Sequence, residues 1–162
     1  MKFYQIRKAG YEDLSEIRRV YAIAREFMVR SGNPTQWSGG YPGEGLLRED
    51  IERGHLYLVM QGVTICGVFY FAIEDDPTYH LIEDGAWLSD QPYGVIHRIA
   101  SDGSGGIFSA ALAFCSERIH HLRIDTHHDN RPMQHVVEKH GFRRTGIIHV
   151  ADGSPRIAYE RV

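Results

Sequence analysis

The chain has 162 residues, of which 43% are hydrophobic and 24% charged, the balance of one soluble globular domain spanning residues 1–162. A net charge of −3 offers no basic face for nucleic acid, and Cys66 and Cys115, each inside an apolar segment, argue against a disulfide framework or a thiolate zinc site. No apolar run approaches the ~18 residues of a membrane span, and the opening MKFYQIRKAG lacks a signal-peptide core, so a cytoplasmic protein without membrane association is expected.

In chain order, FYQIR (3–7) alternates and predicts a first strand. DLSE (13–16) has the pattern of a capping box with Asp13 as the cap. Leu14, Ile17, Val20, Tyr21, Ala24, Phe27 and Met28 then repeat at helical spacing as one apolar face, and SGNP (31–34) ends that helix. A loop carrying Trp37 and Tyr41 precedes a short helix, LLREDIER (46–53), closed by Gly54. HLYLVM (55–60) and ICGVFYFAI (65–73) predict two strands joined at Gln61-Gly62. An acidic loop at Glu74–Asp76 leads into a poorly patterned stretch through Trp87.

YGVIHRIA (93–100) predicts a fourth strand, followed by a glycine loop and a helix to about His120. LRIDTH (122–127) predicts a fifth strand. NRPMQHVVEKH (130–140) predicts a helix with Met133, Val136, Val137 and His140 on one face, capped by a left-handed Gly141. The remaining segments form a hairpin around ADGS (151–154). The order is β-α-α-β-β-β-α-β-α-β-β, an α/β class fold with a mixed sheet flanked by helices.

The segment IASDGSGGIFSAALAFC (99–115) passes from strand through glycines into a helix. Open N–H groups and a positive dipole end make such a helix start a place for anions, and glycine lets the backbone come close. The loop lacks the Gly-Lys-Ser/Thr of a P-loop, and Phe108 stands where a dinucleotide fingerprint would have its last glycine. The region HRIASDGSGGIFSAALAFC…LRIDTHHDNRPMQHVVEKHGF resembles the centre of the GNAT N-acetyltransferase superfamily. The resemblance is carried by the strand VIHRIA, by Gly106 at the first glycine position, by Asn130 after the fifth strand and by Gly141-Phe142. It covers roughly residues 93 to 142, with departures at Gly103, where the family has Gln or Arg, and at Phe108, where it has Gly or Ala.

The resemblance implies a GNAT-like acyl-CoA N-acyltransferase fold, acetyl-CoA as cosubstrate, and acetyl transfer to a primary amine of a small molecule, a peptide N-terminus or a lysine. It implies that the coenzyme meets the backbone of Gly103, Ser104, Gly105, Gly106, Ile107, Phe108 and Ser109, with Phe108 turned into the core. It further implies that Arg98, Ile99, Ala100, Asn130 and Met133 hold the pantetheine arm, between fourth and fifth strands that part before Ala100 and Thr126. The family's frequent tyrosine acid falls at Val137, which cannot donate a proton, so His97, His127 and Tyr93 are the candidate catalytic groups. Gln36, Trp37, Tyr41 and Trp87 are candidate acceptor-binding residues; with the acids Asp75, Asp76, Glu83 and Asp84 nearby, they would suit a cationic amine. No metal is expected, because His127-His128 and His120-His121, read as strand neighbours, point to opposite faces. An acyl-CoA-binding sensor without transfer is the alternative, and a homodimer through an edge strand is plausible.

Overall fold

The computed structural model describes residues 3–162. Its elements are β1 (Gln5–Lys8), α1 (Leu14–Arg30), α2 (Glu44–Glu52), β2 (Leu56–Gln61), β3 (Thr64–Ile73), β4 (Gly94–Ser101), α3 (Ile107–Ser116), β5 (Leu122–Thr126), α4 (Arg131–Lys139), β6 (Arg143–His149) and β7 (Pro155–Arg161). The order is the one the sequence predicts. Seven strands make one sheet, β1-β2-β3-β4-β5-β7-β6, and every neighbouring pair is antiparallel except β4 with β5.

Strand alternation splits the core between the two faces. Val59, Ile96, Ile124, Ile157 and Tyr159 pack under α3 and α4 with Phe108, Leu112, Val137 and Phe142. Leu56, Leu58 and Val68 point the other way, onto Ile17, Val20, Tyr21 and Leu47 of α1 and α2. Further along that second face, the segment between β3 and β4 covers Val95, Ile148 and Ala158 with Tyr79 and Tyr93. The second face is therefore covered by two separate structures with a gap between them.

Several local expectations change. Asp13 does not cap α1 with its side chain; its carboxylate accepts the Gly10 N–H at 2.9 Å and a two-pronged pair from Arg7 at 2.8 and 2.9 Å, which ties β1 to a short 3-10 turn before the helix. Phe27 is 51% exposed, so the apolar face of α1 stops short of its last turn. The second helix starts at Glu44, inside the predicted loop, and α3 ends at Ser116 rather than near His120. Gly67 explains how closely α3 sits on the sheet: a Cβ there would lie 2.6 Å from Ile107 Cγ2.

Candidate active site at the parted strands

The parallel pair β4–β5 holds together only at Gly94–Leu122 and Val95–Arg123. Beyond these residues the strands part, earlier on both strands than the break expected just before Ala100 and Thr126. A cavity of about 860 Å³ fills the gap. Its lining includes Ile96, Ile124 and Met133 from the α3–α4 side and His97, Asp125 and Arg98 from the other, so it passes through the sheet. The loop after α1, one side of α2 from Leu46 to Arg53 at its end, the acidic loop after β3 and the β6–β7 turn wall it on the second face.

A β-bulge shapes one wall. Val68 pairs with Ala100 but Tyr70 pairs with His97, so β4 carries one extra residue at Arg98–Ile99. Arg98 has a φ of 51°, in the left-handed region that a non-glycine residue occupies only when its surroundings force it. Those surroundings are specific. Arg98 makes a two-pronged pair with Asp50 at 3.0 and 3.0 Å, its guanidinium lies 4.6 Å from the centre of the Tyr70 ring, and its carbonyl accepts the Tyr21 hydroxyl at 2.7 Å. Burial lowers the Arg98 pKa, but the Asp50 carboxylate and the Tyr41 hydroxyl outweigh that and raise it, so the side chain stays charged.

His97 stands beside the bulge. Its Nε2 lies 2.6 Å from Asp76 Oδ2, and its Nδ1 lies 3.9 Å from Asp125 Oδ2. Burial would raise the Asp76 pKa; the hydrogen bond and charge of His97 and two bonds from Thr78 outweigh it and hold the carboxyl down at about 2. Ionised Asp76 is an acceptor only, so Nε2 carries the proton, and in the neutral ring the lone pair is on Nδ1. Asp125 in turn accepts the Tyr79 hydroxyl at 2.7 Å. Burial and the Asp125 charge push Tyr79 well above the ordinary phenol range, so it remains a donor.

The other two candidate catalytic residues have structural tasks. Tyr93 precedes β4, is buried, and does not line the cavity; its hydroxyl accepts the Asp76 N–H at 2.8 Å and donates to Asp75 at 3.2 Å, which pins the acidic loop. His127 is buried beyond the end of β5. Its Nδ1 accepts the Asp129 N–H at 3.0 Å, and Nε2 meets the Thr35 hydroxyl at 3.2 Å, so no lone pair is left to take a proton. Burial, with Arg156 and His128 nearby, lowers its pKa and keeps the ring neutral.

Among the acceptor-side candidates, Gln36, Trp37 and Tyr41 line the cavity. Trp87 does not: its indole N–H donates to the Tyr79 carbonyl at 2.8 Å and Arg123 stacks on its ring, which fixes the β3–β4 segment to the sheet. Glu83 is likewise used on β6, bridging Ile147. Gln36 reaches across the opening. Its Oε1 accepts from Asn130 at 3.0 Å, while Asn130 Oδ1 caps α4 through the Met133 N–H at 3.2 Å.

Of the coenzyme candidates, Arg98, Ile99, Asn130 and Met133 line the cavity, whereas Ala100 is buried against the α1 core. The glycine loop lies just past the end of β4. Gly103 N–H is taken by Ser101 Oγ at 3.0 Å and Ser104 N–H by Asp102 at 2.9 Å, so these two donors are spent within the loop. Ala110 is the first residue of α3 whose N–H is satisfied, by the Gly106 carbonyl at 3.0 Å. The helix start therefore leaves the N–H groups of Ile107, Phe108 and Ser109 open. Gly106, at φ 81°, makes the turn into the helix. Phe108 points into the core, its ring 5.2 Å from His140 and 6.3 Å from Phe142, as the coenzyme reading requires.

The residues missed in sequence are Tyr79, Asp125, Asp50 and Thr126. Asp125 left a faint signal, an acid within an apolar strand; Tyr79 left none. Thr126 Oγ1 is buried at the cavity with no partner among the described residues, a polar atom suited to a ligand that enters the gap. His127 and His128 do come together, their rings stacked at 4.3 Å and grouped with Asp129, because they lie in a turn and the strand alternation assumed for them does not apply. His127 Nδ1 is already committed to a backbone N–H, so this group has no complete set of free ligand atoms.

No protein-family model and no curated protein sequence matches the chain. Solved structures do. A GNAT-family acetyltransferase from Streptococcus agalactiae superposes with a TM-score of 0.89 at 27% identity, covering 98% of this chain and 95% of that one. One from Listeria monocytogenes gives 0.70 at 19%, covering 98% and 94%, and one from Bacillus cereus gives 0.59 at 19%, covering 98% and 96%. The chain shares the fold of the GNAT-family acetyltransferases over nearly its whole length.

Proposed function

We propose that the protein transfers an acetyl group from acetyl-CoA to a primary amine by direct attack, with His97 as general base. The observation that carries this reading is the His97–Asp76 pair facing the gap between β4 and β5. Bound acetyl-CoA supplies the activated acyl group. Its pyrophosphate fits the open N–H groups of Ile107, Phe108 and Ser109 at the positive end of α3. Its amide-bearing arm fits the gap, where Thr126 Oγ1 lacks a partner.

The cavity carries Glu74, Asp75, Asp76 and Asp125 on one side, a setting that attracts an ammonium ion. His97 Nδ1 takes the proton that the ammonium must lose, directly or through one water, while Asp76 holds the ring and stabilises the imidazolium. Such help is worth roughly 10²–10⁴ in rate. Backbone N–H groups of the Arg98–Ile99 bulge, released from the ladder with β3, are the donors for the developing oxyanion. Val137 is fully buried in the α4 core, so no acid acts from that position and the thiolate leaves without one.

The test is a thermal shift with acetyl-CoA, CoA and ATP at equal concentration. A ligand at 100 times its dissociation constant adds about 2.7 kcal/mol to stability. Both CoA forms should raise the melting temperature and ATP should not. No rise with either CoA form would refute the reading. A rise without turnover of any amine would favour a coenzyme-binding sensor.

A further inference from the structure

Arg156 has no task in the chemistry above. It sits on β7, lines the cavity, and is only 8% exposed. Its side chain donates from Nη1 to the carbonyl of its neighbour Pro155 at 2.9 Å. The other cavity arginines are paired, Arg98 with Asp50 and Arg53 with Glu49. Arg156 has no carboxylate within ion-pair distance among the described residues, although a guanidinium so far out of water strongly favours one.

Its position on the sheet is informative. Asp125 pairs with Ala158, and Arg156 lies two residues further along the same face of β7. That face also carries His97, whose Nδ1 approaches Asp125. Arg156 thus stands on the reaction side of the sheet, toward the wide end of the parted strands. The site has an acidic end at Glu74–Asp76 and Asp125, and at the other Arg156, which feels the charge of Asp152 on the β6–β7 turn but makes no ion pair with it.

We propose that Arg156 binds a carboxylate of the acceptor, and that the acceptor is a small zwitterion of the amino-acid type. The ammonium enters the acidic end beside His97, and the carboxylate meets the guanidinium fork, whose planar donors match it in two-pronged fashion. This inference rests on the acetyltransferase reading.

The experiment measures acetyl-CoA-dependent thiol release with amine pairs that differ by the carboxylate alone: tyrosine and tyramine, histidine and histamine, lysine and cadaverine, serine and ethanolamine, glycine and methylamine. O-Phosphoethanolamine is included as a phosphate-bearing amine. In at least one pair the amino acid should have a kcat/KM roughly 10- to 100-fold higher, the range of charge-assisted hydrogen bonds. Arg156→Met should shrink that ratio to about threefold or less, chiefly through KM, and Arg156→Lys should leave an intermediate ratio. The acetyl-CoA thermal shift checks that both variants are folded. Four results would each overturn the inference: equal or better turnover of the decarboxylated amine in every pair, preference for O-phosphoethanolamine, a ratio unmoved by Arg156→Met, or no turnover of any pair by a chain that acetyl-CoA stabilises. Absence of acetyl-CoA stabilisation in the unmodified chain would instead refute the acetyltransferase reading beneath it.

Discussion

Replacing Asp50 with alanine tests whether the strained bulge of β4 is held by one ion pair. The Asp50 side chain is 4% exposed and that of Arg98 is 13% exposed. Removing one partner of a buried pair costs about 3–5 kcal/mol, because the other charge stays behind unpaired. Arg98 keeps a 3.3 Å bond to the Tyr41 hydroxyl and its place over the Tyr70 ring, and it borders the cavity. These place Asp50→Ala at the lower end, a loss of about 3 kcal/mol. Urea unfolding followed by fluorescence gives the loss as a fall in midpoint at unchanged slope. The double variant Asp50→Leu/Arg98→Met should lose less than the single one, since apolar groups of similar volume leave no buried charge. A single-variant loss below about 1 kcal/mol, the range of an exposed pair, would refute the reasoning. Asp50→Ala should also reduce the thermal shift with acetyl-CoA, because the bulge forms a wall of the gap.

Three further outcomes follow from other contacts. Asp76, held at about 2, lies below its ordinary range, so its contribution of roughly 2 kcal/mol is fully present above about pH 4 and is lost as pH falls through 2. Urea midpoints measured at pH 5, 4 and 3 should therefore fall less steeply for Asp76→Asn than for the unmodified chain, and parallel lines would contradict the assignment. Gly67→Ala should cost about 1–3 kcal/mol, because its Cβ would meet Ile107 Cγ2 at 2.6 Å and the Ala100 carbonyl at 3.1 Å; a neutral result by thermal unfolding would mean that α3 can shift freely. Cys66 and Cys115 are both buried, and burial pushes the Cys115 thiol up to about 12, so titration of the native chain with a thiol reagent at pH 8 should find neither reactive until urea is added.

The order of elements was legible because hydrophobic period and glycine placement are local properties. Gly106 marked the start of α3, Asn130 capped α4, and Gly141 took the left-handed position after it. The parting of β4 from β5 could be expected through the resemblance, yet the bulge beside it could not be read. A single extra residue in β4 accompanies it just past the last paired residues, and VIHRIA carries no glycine or proline to betray a bulge. Of three candidate catalytic residues, the structure brings only His97 to the cavity; Tyr93 and His127 are equally polar in sequence, and long-range partners decide their roles. Trp87 misled for the same reason, because an aromatic that pins a loop and one that walls a ligand have the same sequence signature.

The bulge also explains why His97 stands at the edge of the gap. Across most of an antiparallel ladder each residue faces a fixed partner and a fixed side. Pairing resumes at Ala100 with the register shifted by one residue, so the α1 core continues through Val68 and Ala100 while the strand between His97 and Ala100 leaves the ladder. His97 is the last β4 residue still paired before that departure, opposite Tyr70. It is anchored on the β3 side and open on the β5 side, where pairing has already stopped at Val95. Asp76 approaches from the loop that follows β3, held by Thr78 and by Tyr93, and so reaches the ring without passing through the gap. One added residue thus releases the backbone at Arg98–Ile99 from the β3 ladder and leaves a histidine at the edge of the gap, and the loop after the neighbouring strand supplies the carboxylate that orients it.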